Sequence, residues 1–425
     1  MHIDPSKIKY EEIIKKLPLP FTAGGKALPI VLVLVGCLSA FYGLSFGNPQ
    51  HFWASYYTNV IFWMGLAVGG VIISCIFQIV RAEWSPPVRR ITEATSAFLP
   101  AIFFLWALSF FGKEYLFPWA TSASPGKEWW MKPLFVYGRF FLILGGLFYL
   151  MSRFVRLSLR GDLGLLREES PEKIFWNSSR YDRLVKNWRG AQVEIPLLQK
   201  KLSWNAPLII ALFAFLYSLF AFEMIMSLDP VWYSNMFGGF ICVSGIYLAW
   251  AVTSITCSNL SRDFKDYDGV IGRQQFWDLG KLTFGFGILW AYLFFSQFLP
   301  QWYGNLPEET QWMILRTREW PWKGLGWATL ASCFIIPFIV LLSRDVKKNR
   351  VTLKLICVLI VVGLWLAKYV IVMPHFFAEE IPFGVVEVGL FLGFLGVYSY
   401  CVRSFLSRYP YVPLSHPLTW GQTKW

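Results

Sequence analysis

The sequence predicts an all-α, polytopic membrane protein of about ten transmembrane helices, arranged as two four-helix bundles with peripheral helices. Three observations carry the all-α, ten-span part of that expectation. Of the 425 residues, 56% are hydrophobic, 19% aromatic and only 15% charged, with a mean hydropathy of +0.47. The apolar residues come in blocks of about 20, the length that crosses a hydrocarbon layer about 30 Å thick. The charged residues collect in alternate connections between those blocks.

In chain order, residues 1–26 are polar and read as a retained cytoplasmic segment, because the first apolar block is long enough to span and lacks a small-residue cleavage site. Spans are expected at 27–47, 57–80, 96–112 and 133–152, then, after a basic cytoplasmic loop at 153–205, at 206–227, 236–259, 277–300, 325–343, 353–373 and 384–402. This gives four helices over 27–152, six over 206–405 and a cytoplasmic tail over 406–425. Lys7, Lys9, Lys15, Lys16 and Lys26 precede the first span, and Arg81, Arg89 and Arg90 follow the second. Arginines and lysines from Arg153 to Lys201 fill the central loop, whereas 48–56, 228–235 and 374–383 contain neither. The asymmetry places both termini in the cytoplasm. It also explains the net charge of +13 without nucleic acid, the central loop resting on anionic headgroups.

The seven cysteines include no CxxC or CxxCH pair, and none of His2, His51, His375 and His416 lies within an apolar block. Zinc, iron–sulfur, c-type and b-type haem sites are therefore not expected, and the chain reads as binding no cofactor and no metal of its own.

Ionisable residues inside spans single themselves out, because each costs about 2.5–3.5 kcal/mol at a helix centre and persists only with a partner or water. They are Arg139, Glu223, Lys368 and Glu387, with Asp278 and Lys281 at a cytoplasmic entrance. Arg139 and Glu387 sit close enough to the surface to snorkel. Glu223 and Lys368, at similar depth, suggest a pair, either a proton relay or a structural ion pair. Asp278, Lys281, Gly285, Tyr292 and Ser296 recur at helical spacing and share one face, which is either a packing seam or a proton or substrate path.

Two runs extend this reading. DLGKLTFGFGILWAYLFFSQFLPQWYGNLPEET, from Asp278 to Thr310, and FEMIMSLDPVWYSNMFG, from Phe222 to Gly238, resemble the large membrane subunits of alternative complex III, within the NrfD-like (polysulfide-reductase membrane subunit) superfamily. Arg89, Arg90 and Glu93 also match that pattern. The resemblance implies a multi-pass subunit of a quinol:cytochrome c oxidoreductase in a bacterial inner membrane. Its partners would be a paralogous quinol-binding membrane subunit, an iron–sulfur subunit and multihaem cytochrome c subunits, with menaquinol or another quinol, haems and clusters held by those partners. The quinol-binding paralogue has histidines in its second and third spans. Here the matching stretches, Gly65 to Ser74 and Pro100 to Leu105, contain none, which implies the second paralogue. Its implied contribution is scaffold and proton path, entering near Asp278 and Lys281, following Tyr292 and Ser296, and leaving past Glu223 and Lys368. No catalytic residue is expected. A quinol-binding subunit using Arg139, Glu223 or Asp229, a stand-alone secondary transporter and a purely structural subunit remain alternatives.

Overall fold

The computed structural model describes residues 23–122, 126–169, 179–263 and 271–416. Residues 1–22, the central stretch 170–178 and the last part of the tail, 417–425, lie outside them. All regular structure among the described residues is helical, and ten helices are long and apolar enough to cross a membrane. In chain order these are α1 Ala23–Ser45, α2 Pro49–Ile79, α3 Pro86–Leu116, α4 Pro133–Glu169, α5 Ala191–Met224, α6 Phe237–Asp263, α7 Arg273–Gly304, α8 Trp322–Leu342, α9 Arg350–Val372 and α10 Val385–Leu406.

Helices α2–α5 pack as one four-helix bundle and α6–α9 as a second, joined where α2 lies along α6; α1 and α10 pair with each other on the outside. The two expected bundles are present, but the spatial division falls after α5 and not after α4. The central loop expected over 153–205 is also largely helix. An apolar run marks where a helix meets lipid, not where its hydrogen-bond ladder stops, so α4 and α5 continue into water as charged, amphipathic extensions. These extensions are tied together: Arg160 donates to Glu194 (3.3 Å) and to the carbonyls of Leu184 (2.9 Å) and Lys186 (3.0 Å), and Arg167 pairs with Asp182.

Local chemistry sets the helix starts. Asn48 accepts from Gln50 N (2.9 Å) ahead of Pro49, so α2 begins on a capped first turn well before its apolar run. Asn349 caps α9 in the same way, accepting from Val351 N at 2.9 Å. In α8 the ladder widens into a π turn over Ala331–Ile335. Pro337 explains it: its ring crowds the carbonyl four residues back, that of Cys333, and it has no N–H to offer. The released Cys333 carbonyl accepts instead from the Tyr247 hydroxyl of α6 at 2.9 Å.

Small residues set the closest approaches. A β-carbon on Gly69 would lie 2.3 Å from the carbonyl oxygen of Gly245, and one on Gly36 would lie 2.4 Å from the Cα of Gly393. The first contact joins α2 to α6 and the second joins α1 to α10, with backbones touching as packing in lipid favours. The stretch Gly65 to Ser74 is thus a helix–helix seam. Gly69→Ala is expected to cost about 1–3 kcal/mol by forcing α2 from α6, read as a lower melting temperature in detergent. Gly285→Ala, where an added β-carbon meets nothing within 4 Å, should leave that temperature unchanged or raise it.

Candidate functional site

The interior of bundle α6–α9 is the most unusual polar environment in the molecule. Lys368 of α9 is 5% exposed, and its ammonium has no hydrogen-bond partner among the described residues. It lies 5.7 Å from the centre of the Phe240 ring and within electrostatic reach of Cys242 and Cys333. Above and below it the bundle carries neutral polar groups. Trp290 Nε1 of α7 donates to Ser244 Oγ of α6 (3.1 Å), and Tyr247 holds the carbonyl freed by the π turn. Cys357 of α9 meets the hydroxyls of Ser254 and Thr283. Thr329 Oγ1 on α8 and Gln301 Oε1 at the end of α7 are buried without partners.

The expected polar face of α7 is not the face that lines this interior. Asp278, Thr283, Gly287, Trp290, Gln297 and Gln301 are turned inward, whereas Tyr292 is 62% exposed and Lys281 and Gly285 are exposed beside it. Only Asp278 belongs to both rows. Lys281 reaches out of the bundle, its ammonium 4.3 Å from the Trp277 ring and 2.7 Å from Asp278. The inward row escapes a polarity count because its groups are half disguised. Thr283 and Gln297 donate to their own helix, to Leu279 O (2.8 Å) and Leu293 O (3.1 Å), and the polarity of Trp290 is a single N–H on a large apolar ring.

Glu223 does not meet Lys368. It pairs with Arg139 across α4 and α5 in the other bundle, and the guanidinium lies 4.1 Å from the centre of the Trp130 ring and 5.1 Å from that of Phe135. Arg139 therefore does not snorkel alone; an opposite charge on a facing helix and an aromatic cover hold it. Asp229 turns the chain after α5, accepting from Val231 N (3.2 Å) and Trp232 N (3.3 Å).

Glu387 does not snorkel either. Its carboxylate is 0% exposed and takes the Ser55 hydroxyl, His51 Nε2 at 2.5 Å and, on its other oxygen, Gly384 N at 2.8 Å. His51 Nε2 also lies 2.7 Å from Pro382 O. The sequence does hold a signal for this. Gly384-Val385-Val386-Glu387 has the spacing of a capping box, which turns the carboxylate back onto the helix start and away from solvent.

At the opposite, basic end, Arg89, Arg90 and Glu93 on α3 form a buried cluster with Asp162 of α4. Asp162 was not anticipated, since it sits among arginines in a stretch expected to be solvated. Its second oxygen accepts from Leu414 N (3.0 Å), Ser415 N (2.8 Å) and Ser415 Oγ (2.6 Å), so it pins the tail, and two cations face two anions. No group of three or more metal-ligating side chains occurs among the described residues.

With this geometry in hand, comparison with known proteins adds no kinship: no family model matches the chain, and no curated protein matches it.

The pinned tail supplies a pH test. His416 is buried beside this cluster, and burial together with the Arg89 charge pushes its imidazole down to about 3 from the ordinary 6.5. A depressed histidine makes no difference above pH 6.5, where bound and released tails are both neutral. Below 6.5 the released tail takes a proton that the bound one refuses, so docking weakens as pH falls towards about 3. At pH 5 the expected loss is about 2 kcal/mol. Limited proteolysis of the tail should speed up as the pH is lowered from about 7 to about 5, and His416→Gln should flatten that dependence.

Proposed function

We propose that this chain is a haem-free integral membrane subunit of a quinol:acceptor oxidoreductase of the alternative complex III type, in which bundle α6–α9 conducts protons with Lys368 as its central station. One observation carries the proton path: a buried amine with no partner, in the middle of a bundle whose other unpartnered polar atoms are neutral. An ammonium held that way is costly, so it persists only where water reaches it or where it alternates between charged and neutral forms. Either condition is what a relay needs.

The row on α7 gives the path direction. Asp278 opens it at the basic end, and Thr283, Trp290, Gln297 and Gln301 follow on the inward face. The 24 residues from Asp278 to Gln301 rise about 35 Å, enough to cross the hydrocarbon. Cys357 with Ser254 and Thr283 lies in the lower half, and Tyr247 and Lys368 stand across from α7 on α6 and α9. Bound waters must bridge these groups. Glu223 and Tyr292 are not part of this path, because the first is paired in the other bundle and Tyr292 faces outward; Ser296, one turn beyond Tyr292, is half-buried and outside the inward row.

The redox assignment rests on the two sequence runs. The Asp278 run forms α7 and leads into the Pro307–Thr317 helix, and the Phe222 run forms the connection from α5 of the first bundle to α6 of the second. The quinol-binding paralogue, the iron–sulfur subunit and the multihaem cytochromes are the partners this reading requires. A quinol site built on Arg139 and Glu223 is disfavoured by their pairing with each other. A stand-alone secondary transporter is the second reading, favoured by the two successive four-helix bundles and the π turn beside Lys368.

In the complex reconstituted into vesicles, Lys368→Met should slow proton translocation by about 10²-fold or more while quinol oxidation continues. Glu223→Gln should leave the proton-to-electron ratio unchanged. An unaltered ratio in Lys368→Met removes the path. Isolation of the tagged chain as a colourless, solitary protein, with no c-type haem bands from partners, would instead move the assignment to the transporter.

A further inference from the structure

A cleft at the basic end of the molecule lies between α3, α4 and α10, with about 910 Å³ of space including its open mouth. Its polar lining is repeated on two facing helices: Ser152 and Arg156 stand one turn apart on α4, and Ser404 and Arg408 stand one turn apart on α10 and the turn that ends it. Ser96, where α3 narrows into a 3₁₀ segment over Thr95–Phe98, adds a third hydroxyl. Neither guanidinium has an acidic or hydrogen-bonding partner among the described residues, and the three hydroxyls donate to nothing there. Leu159 and Phe405 supply apolar wall beside them.

Arg89, Arg90, Arg139 and Arg160 are each matched to a carboxylate, and the buried Arg316 donates to the carbonyls of Trp312, Val370 and Ile371, whereas Arg156 and Arg408, at the open mouth of the cleft, are left facing one another's helix. Guanidinium pairs with hydroxyls beneath them fit phosphate oxygens, and apolar walls beside such a site fit acyl chains. No carboxylate lines the cleft to repel an anion.

We propose that the α3–α4–α10 cleft is a binding site for an anionic phospholipid, its phosphate held by Arg156 and Arg408 with Ser96, Ser152 and Ser404, and its chains lying along Leu159 and Phe405. Two unpaired guanidinium groups favour a headgroup bearing two phosphates. The lipid would tie α10, and through it α1, to the first bundle.

The test uses the full chain in its native assembly, delipidated in mild detergent and titrated with cardiolipin in phosphatidylcholine micelles, with binding read by native mass spectrometry. Wild type should retain cardiolipin, and Arg156→Gln/Arg408→Gln should bind it about tenfold or more weakly. Ser96→Ala/Ser404→Ala, which leaves the charge untouched, should also weaken binding, so a folding failure of the arginine variant does not end the test. Arg153→Gln/Lys201→Gln, at exposed positions outside the cleft, is the control. Equal weakening in the control would mean diffuse charge attraction and would overturn the site. Displacement of cardiolipin by millimolar inorganic phosphate would equally overturn it, in favour of a soluble anion.

Discussion

Gly69 and Gly245 let the backbones of α2 and α6 touch, and that contact fixes where the other long helices stand. In a bilayer there is no hydrophobic gain in pressing one apolar helix on another, so the gain comes from close packing, and close packing needs small residues. Each of these helices is also the first of its own bundle. Moving them apart would separate α3–α5 from α7–α9 as units, while the bonds inside each unit stayed intact.

The polar groups of the molecule divide by how they are satisfied. At the basic end, Arg89, Arg90, Glu93 and Asp162 neutralise one another and recruit the backbone of the tail. At the other end Glu387 is closed off by His51, Ser55 and Gly384. Such closed sets hold helices in place. Lys368 belongs to no set, and the π turn near it shows a second departure from regularity in the same bundle, with Tyr247 repairing the one carbonyl that Pro337 releases. Two irregularities in one place are hard to attribute to packing, which would be served better by a leucine and an unbroken helix.

The helices were legible in the sequence because apolar length is a one-dimensional property. The two-bundle architecture was legible too, but its boundaries were not, since α1 and α10 are brought together by Gly36 and Gly393, which are distant in sequence. Of the singled-out residues, Asp278 and Lys368 are inside the second bundle as their burial cost suggests. Tyr292 and Lys281 turn outward because helical spacing gives faces without saying which face is inside. Glu223 and Arg139 were both visible as intramembrane charges, yet pairing Glu223 with Lys368 required depth alone, and depth does not identify neighbours. Asp162 was hidden by its surroundings: one acid among arginines in a charged stretch looks solvated until Leu414 and Ser415 fold back onto it.

The pairing of α1 with α10 bears on how the chain is made. Among the described helices α1 precedes the other spans, and little of its surface is covered; what covers it is chiefly α10, which follows the second bundle in the chain. Through most of synthesis α1 therefore stands in the bilayer without its lasting neighbour, its Gly36 surface waiting for Gly393. The second bundle must insert before that surface closes. The seating of α1 is in this way settled by α10, so a product lacking α10 would leave α1 loose however well the helices between them had packed.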